Sequence, residues 1–262
     1  MATLVTEQGI VHYETYGRGR PVLLLHGWLG SWALWRHSIE ILGKEFRTYA
    51  LDFFGFGESG DRTSDFSVDT FVTLVDQFMD RLGIVKAPLV GHSMGGTVSL
   101  SAAVRFPQKI VKVIVIGSPI QGTSLNYLLK ASGYRSIAHL FWLYPSLLRL
   151  FLRGYSYFMA RDGRALGQMI TNDVSKVTVD SFFQSIGTLR QTDLRPYLGA
   201  VKVPVMGIYG PRDIVVSPNQ AKVLQQYVPH SKIAWFKQSG HFPMMDEFEH
   251  FHETVRDFLY HG

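Results

Sequence analysis

Short apolar runs and longer stretches of helical periodicity alternate along this chain, and that order limits the folds open to it. Most of the short runs are too uniformly apolar to keep one face in water, which is typical of strands in a buried parallel sheet. The sequence therefore predicts an α/β fold with a mostly parallel central sheet flanked by helices. Strands are expected over Ile10–Tyr16, Pro21–His26, Phe46–Asp52, Ala87–Gly91, Ile110–Gly117, Val203–Tyr209 and Ser231–Phe236, and helices over Trp32–Lys44, Ser67–Leu82, Met94–Arg105, Pro218–Tyr227 and Asp246–Tyr260.

The alternation stops between Gly117 and Val203, where a crossover between parallel strands needs only about a dozen residues. We interpret the excess as a helical cap. The predicted organisation is a core of residues 1–120 and 189–262 with a cap insertion over residues 121–188. The segment 140–158 is rich in aromatic residues, which could roof an apolar pocket or only pack the cap onto the core.

Composition excludes several classes of protein. Hydrophobic residues make up 46% of the chain and charged residues 18%, a balance typical of a globular enzyme. The net charge is +5, but the basic residues are scattered, so no nucleic-acid partner is expected. The chain has no cysteine, and no His and carboxylate cluster has metal-ligand spacing, so we expect neither a metal nor another cofactor.

Neither the N-terminus nor the longest apolar segment has a membrane signature. Residues 1–9 lack the pattern of a signal peptide, and the apolar segment 137–152 is interrupted by Pro145 and Arg149. We therefore expect a cytoplasmic protein without a membrane span.

Ser93 lies in the segment GHSMGG, residues 91–96, directly after a predicted buried strand and directly before a predicted helix. A strand that turns sharply into a helix strains its turn residue, and side chains two positions to either side would collide, so glycine is needed at 91 and 95. The serine hydroxyl is then exposed at the sheet edge, where the helix N-terminus favours developing negative charge. The context predicts Ser93 as a nucleophile.

A serine nucleophile needs a base, and histidine has the pKa that suits this task. His241 follows the last predicted strand and precedes the final helix, so its loop emerges at the same sheet edge as Ser93. Asp213 follows the strand Val203–Tyr209 at that edge and is expected to orient the base. The order Ser93, Asp213, His241 predicts a catalytic triad. The competing histidines at 12, 250, 252 and 261 are interpreted as surface or packing residues.

Acyl transfer also needs hydrogen-bond donors for the oxyanion. The residue after the nucleophile supplies one, the backbone N–H of Met94, and the loop after an early strand supplies another, for which we predict the backbone N–H of Trp28. The Trp28 indole could equally line the substrate pocket or pack. Candidate pocket residues are Trp28, Phe141, Trp142, Phe158 and Phe242.

Five motifs occur in order along the chain: LHGW at 25–28, DFFGFGES at 52–59, GHSMGG at 91–96, Asp213 and SGHFP at 239–243. Within the second of these, Asp52 is interpreted as anchoring the loop. Together the motifs resemble the α/β-hydrolase superfamily, specifically its branch of small capped bacterial serine esterases, meta-cleavage hydrolases and cofactor-free haloperoxidases. The resemblance implies the α/β-hydrolase fold, with the cap inserted between strands 6 and 7. Dehalogenases and soluble epoxide hydrolases of this fold have an aspartate where this chain has Ser93, which disfavours both activities.

The resemblance implies hydrolysis of a carboxylic ester of a small to medium apolar acyl or aryl group through an acyl-enzyme. The expected partner is a small-molecule ester. Three alternatives stay open: a C–C bond hydrolase of meta-cleavage products, a haloperoxidase or perhydrolase with the same triad, and a ligand-gated receptor of the same fold. The C–C hydrolase needs an anchor for a substrate carboxylate, and Arg149, Arg153 or Arg164 could serve.

Overall fold

An eight-stranded sheet forms the centre of the molecule, which we analysed as a computed structural model describing residues 2–60, 65–132 and 143–262. The strand order is β1-β2-β4-β3-β5-β6-β7-β8; β2 pairs antiparallel with β1 and β4, and all other neighbours are parallel. The predicted mostly parallel α/β architecture is confirmed. The strands are β1 (Ala2–Val5), β2 (Ile10–Tyr16), β3 (Pro21–Leu25), β4 (Arg47–Leu51), β5 (Ala87–His92), β6 (Ile110–Ile116), β7 (Val205–Tyr209) and β8 (Lys232–Trp235).

Burial explains the strand positions. Val22 to Leu25 of β3 and Val113 to Ile116 of β6 are completely buried, so these strands have no face for water and lie inside the sheet. Strand β1, which the sequence analysis did not predict, lies at the sheet edge with β2 as its one neighbour among the described strands, and it alternates between half-buried and exposed residues.

The helices follow the predicted segments closely in the core. Residues 32–44 divide into a 3₁₀ turn, Trp32–Trp35, and a helix from Arg36. Helix α2 begins where the Ser67 hydroxyl accepts a hydrogen bond from the Thr70 backbone N–H at 3.2 Å. The helices are α1 (Arg36–Leu42), α2 (Val68–Arg81), α3 (Met94–Arg105), α4 (Tyr127–Ser132), α5 (Pro145–Met159), α6 (Gly163–Val174), α7 (Val179–Gln191), α8 (Gln220–Tyr227), α9 (Pro243–Asp246) and α10 (Phe248–His261).

Helices α4 to α7, which we call the cap helices, follow β6 and precede β7. Polar contacts fix them to the core: the Ser31 hydroxyl donates to Asp173 Oδ1 of α6 at 2.9 Å, and the Ser181 hydroxyl of α7 donates to the Gly55 carbonyl at 3.0 Å. Helix α7 runs to Gln191, past the predicted end of the cap at 188. Within the described ranges, no helix is long and apolar enough to span a membrane.

Candidate active site

Ser93 occupies a strained turn between β5 and α3. Its backbone has φ +52° and ψ −118°, a conformation that is costly for a residue with a side chain, by about 1–3 kcal/mol. The turn is held because the Ser93 N–H donates to the Ile116 carbonyl of β6 at 2.8 Å. A Cβ atom at Gly91 would lie 2.2 Å from the Gly95 carbonyl oxygen, and one at Gly95 would lie 2.3 Å from the Leu25 carbonyl oxygen. The steric reason for both glycines is confirmed.

Helix α3 begins directly under this turn. The Ser93 carbonyl accepts the N–H groups of Gly96 at 2.9 Å and Thr97 at 3.3 Å, which closes the first helical turn. Met94 is the first residue of the helix and is completely buried. Its N–H has no intrahelical acceptor because the first N–H groups of any helix lack one, so the position suits an oxyanion donor.

His241 and Asp213 form a buried pair at the carboxyl ends of β8 and β7. His241 Nδ1 lies 2.7 Å from Asp213 Oδ2, with both side chains 3% exposed or less. The other carboxylate oxygen of Asp213 accepts the backbone N–H groups of Val215 at 2.8 Å and Val216 at 2.9 Å. The carboxylate thereby accepts a hydrogen bond from Nδ1–H, which leaves Nε2 of His241 unprotonated and able to accept a proton.

Glycine at position 117 leaves room for this pair. Gly117 has φ +53°, and a Cβ atom there would lie 3.0 Å from His241 Nδ1 and 3.2 Å from Asp213 Oδ2. A larger residue would therefore press on the hydrogen bond between the ring and the carboxylate. The sequence analysis did not single out this position, although it ends the predicted strand Ile110–Gly117.

The loop after β3 lies against Ser93. A Cβ atom at Gly27 would be 3.0 Å from Ser93 Cβ, so only glycine permits this approach. His26 fixes the loop: its Nδ1 donates to the Gly27 carbonyl at 2.7 Å, and its Nε2 accepts the Phe53 N–H at 3.0 Å. Burial lowers the pKa of His26, which keeps the ring in the neutral form that this pair of bonds requires. The sequence analysis missed this role of His26.

A cavity of about 220 Å³ lies beneath the cap helices, and both Ser93 and His241 line it. Its other described lining residues are almost all apolar, and none is Asp, Glu, Lys or Arg. Leu128 of α4 and Phe151 of α5 line it while being 48% and 44% exposed. Within the described ranges, no group of three or more His, Asp or Glu side chains could hold a metal ion.

Two of the predicted pocket residues, Trp28 and Phe242, line the cavity. The Trp28 indole also packs on the cap, because Nε1 donates to the Phe182 carbonyl at 3.3 Å and the two rings lie 4.7 Å apart. The prediction for Phe158 is corrected: its side chain is 72% exposed and does not line the cavity. Phe141 and Trp142 lie outside the described residues.

The cavity residues of α5 form one helical stripe that the sequence analysis overlooked. They recur at intervals of three and four residues, the spacing that places side chains on one face of a helix. Phe158 follows Tyr155 by three residues, so this spacing alone would place it at the edge of the same face, yet its side chain is exposed. The members of the stripe are Leu148, Phe151, Leu152, Tyr155 and Met159.

The cap arginines proposed as carboxylate anchors do not reach the cavity. Arg149 and Arg153 of α5 and Arg164 of α6 are all exposed, and none lines the cavity. The described part of the site therefore contains no fixed cation for an anionic substrate group.

Asp52 anchors the loop that follows β4. Its completely buried carboxylate accepts the backbone N–H groups of Trp32 at 2.6 Å and Glu58 at 2.9 Å and lies 2.8 Å from His12 Nδ1. Although burial disfavours the charged ring, the hydrogen bond and charge of Asp52 raise the pKa of His12. These contacts agree with the anchoring role expected from the sequence.

The sheet, the strained serine turn and the loops at its carboxyl edge define an α/β hydrolase. A family model described as alpha/beta hydrolase fold matches residues 20–248, and the chain belongs to that family. A pimeloyl-[acyl-carrier protein] methyl ester esterase from Vibrio parahaemolyticus is 27% identical over 95% of this chain and 97% of its own length.

Two solved structures show the same fold. An esterase from Exiguobacterium antarcticum superposes with a TM-score of 0.84 at 22% identity, covering 96% of both chains. A bromoperoxidase from Bacillus anthracis superposes with a TM-score of 0.85 at 24% identity, again covering 96% of both chains. Relatives with different chemistry therefore share this architecture.

Proposed function

We propose that the protein is a serine esterase that cleaves esters of small to medium apolar acids through an acyl-enzyme on Ser93. The observation that carries the proposal is the buried His241–Asp213 pair, whose histidine lines the same cavity as Ser93 at its strained turn. These are the groups that nucleophilic acyl transfer requires. The similarity to a methyl ester esterase over 95% of the chain supports the same class of reaction.

In this mechanism the Ser93 hydroxyl attacks the ester carbonyl while His241 Nε2 takes its proton. Asp213 holds the ring and stabilises the imidazolium that forms. The backbone N–H groups of Met94 and Trp28 stabilise the oxyanion. His241 then returns the proton to the leaving alcohol, and a water molecule activated by the same ring hydrolyses the acyl-enzyme.

The cavity supports an uncharged acyl group as substrate. A charged group would lose its hydration there without gaining a partner, since no charged side chain lines the described cavity. At about 220 Å³ the cavity is smaller than the roughly 300–1,000 Å³ typical of sites for drug-sized ligands. Both properties favour a short or medium apolar acid over a meta-cleavage product with its carboxylate.

A panel of p-nitrophenyl esters of increasing acyl length tests the proposal, run beside a dienoate C–C substrate and peroxide-dependent halogenation. We expect kcat/KM to rise with acyl length while the chain fits the cavity and to fall beyond that length. Methyl esters of dicarboxylic acids belong in the panel because of the esterase relative.

Ser93→Ala is the inactive variant, and His230→Gln is the control because His230 is exposed and bonds only the Val203 carbonyl among described partners. Faster turnover of the dienoate than of every ester would overturn the proposal, as would less than one turnover per molecule on all substrates.

The cytoplasmic location expected from the sequence stays a prediction.

A further inference from the structure

We propose that His92 is a positioning residue for the reaction proposed above: its ring holds the backbone of His241 and so sets the place of the base relative to Ser93. This inference rests on the proposed function. His92 is the last residue of β5 and precedes the nucleophile directly. Nothing in the mechanism described so far uses its imidazole, although its side chain is buried and lines the substrate cavity.

The hydrogen bond of His92 determines which of its ring nitrogens carries the proton. Nε2 lies 2.9 Å from the His241 carbonyl oxygen, and a carbonyl can only accept, so Nε2 is the donor. Burial, and then the neighbouring His241, lowers the pKa of His92 well below its usual value, so the ring is neutral. The ring therefore adds no positive charge beside His241 when that residue becomes an imidazolium.

The second ring nitrogen faces the loop after β3. Nδ1 of His92 has no hydrogen-bond partner among the described residues, and a Cβ atom at Gly27 would lie 2.9 Å from it. The ring thus fills the space between the His241 loop and the Gly27 loop. It also packs at 4.7 Å, between ring centroids, from both His241 and Phe242.

His92 and Asp213 act on different parts of the base. Asp213 fixes the ring and its tautomer through Nδ1, whereas His92 fixes the main chain through the carbonyl oxygen. On the opposite side, the His241 N–H donates to the Met159 carbonyl at the end of α5, at 3.2 Å. Without His92 the His241 carbonyl would lose this donor, while the neighbouring Gly240 N–H would still be held by Asp246 Oδ2 at 2.9 Å. The loss matters because a base misplaced by about 1 Å can cost roughly 10²-fold in rate.

Three substitutions separate the hydrogen bond from the packing. In His92→Gln the side-chain amide retains an N–H donor near the position of Nε2. The shorter side chain of His92→Asn reaches only the position of Nδ1 and therefore loses the hydrogen bond to the His241 carbonyl. His92→Phe keeps a ring for packing but has no donor. We expect the Asn and Phe variants to lose roughly 10- to 100-fold in kcat with KM changed by less than about three-fold, and Gln to recover most of kcat.

His252→Gln is the matched control, since His252 is also buried but bonds Ser38 and Phe248 instead of the active site. It should lower Tm and leave kcat unchanged. Melting temperatures are measured for every variant, and if His92→Phe does not fold, the Asn and Gln pair decides.

The inference is overturned if folded His92→Asn keeps the wild-type kcat, or if His92→Gln loses as much as His92→Asn. Its failure is distinct from failure of the proposed function. Inactive Ser93→Ala together with fully active His92→Asn refutes only the positioning role, whereas active Ser93→Ala refutes the mechanism itself.

Discussion

Replacing Asp173 by asparagine is expected to stabilise the protein at alkaline pH and to change little at acid pH. Asp173 lies on α6, is 3% exposed, and accepts a hydrogen bond from Ser31 through Oδ1, while Oδ2 has no partner among the described residues. Burial raises its pKa from 3.8 to about 7; the Ser31 hydrogen bond and Lys176 oppose this rise, and the charges of Asp52 and Glu58 add to it.

The direction of this pH effect on stability follows from the number of protons that the folded and unfolded protein each bind at Asp173. Between pH 3.8 and about 7 the folded protein keeps a proton on Asp173 that the unfolded chain has released, so the free energy of unfolding falls as pH rises. The rise in the pKa of Asp173 from 3.8 to about 7 corresponds to at most about 4 kcal/mol of the free energy of unfolding. All of this stabilisation is lost above the folded pKa. Asparagine has the shape of the protonated acid, still accepts from Ser31, and does not ionise.

Denaturant unfolding of wild type and Asp173→Asn at about pH 5.5 and about pH 8 measures the effect. The stability advantage of the variant should widen by about 2 kcal/mol between these two pH values. Asp180→Asn, which removes an exposed carboxylate from the same group of cap helices, is the control and should show no such widening. An equal difference at both pH values, or a variant less stable than wild type at pH 8, would refute the reasoning.

Asp213→Asn should lower kcat by roughly 10⁴-fold, about 5 kcal/mol of barrier, with KM little changed in steady-state kinetics, because an amide favours the wrong imidazole tautomer. Asp52→Asn should lower Tm but reduce kcat far less than Asp213→Asn does, because Asp52 accepts backbone N–H groups of two loops. If Asp52→Asn instead loses more kcat than Asp213→Asn, the acid of the triad is misassigned. Dialysis against EDTA should leave ester turnover unchanged, and a loss restored by zinc would contradict the metal-free mechanism.

The serine turn could be predicted in detail because its glycines are required by backbone atoms rather than by particular side chains. Gly91 is required by the Gly95 backbone of the same turn, and Gly95 by the Leu25 carbonyl of the neighbouring strand, so the pattern of residue types carries the geometry. The strands of the core were predictable for a similar reason, since their uniform apolarity reflects burial on both faces. Strand β1 shows neither the glycine pattern of the serine turn nor the uniform apolarity of the core strands. As a short strand at the sheet edge it pairs with one neighbour and does not need burial on both faces.

The wall of the cavity could not be predicted residue by residue. Periodicity shows that α5 has a continuous apolar stripe, but which aromatic residues face Ser93 depends on how the helix docks on the core. Phe151 therefore lines the cavity while Phe158 is exposed. Buried polar residues pose the same difficulty: His26 accepts the N–H of Phe53 and His92 donates to the carbonyl of His241, and both partners are distant in the sequence.

Trapping the acyl-enzyme tests the central claim most directly. The protein is mixed with a p-nitrophenyl ester, quenched in acid within the first turnover, and digested for mass spectrometry, with Ser93→Ala treated in parallel. The account predicts an acyl adduct on the peptide containing Ser93, a burst of p-nitrophenol close to one equivalent per molecule when deacylation is the slower step, and neither signal in Ser93→Ala. An adduct on another residue, or wild-type turnover by Ser93→Ala, would contradict it.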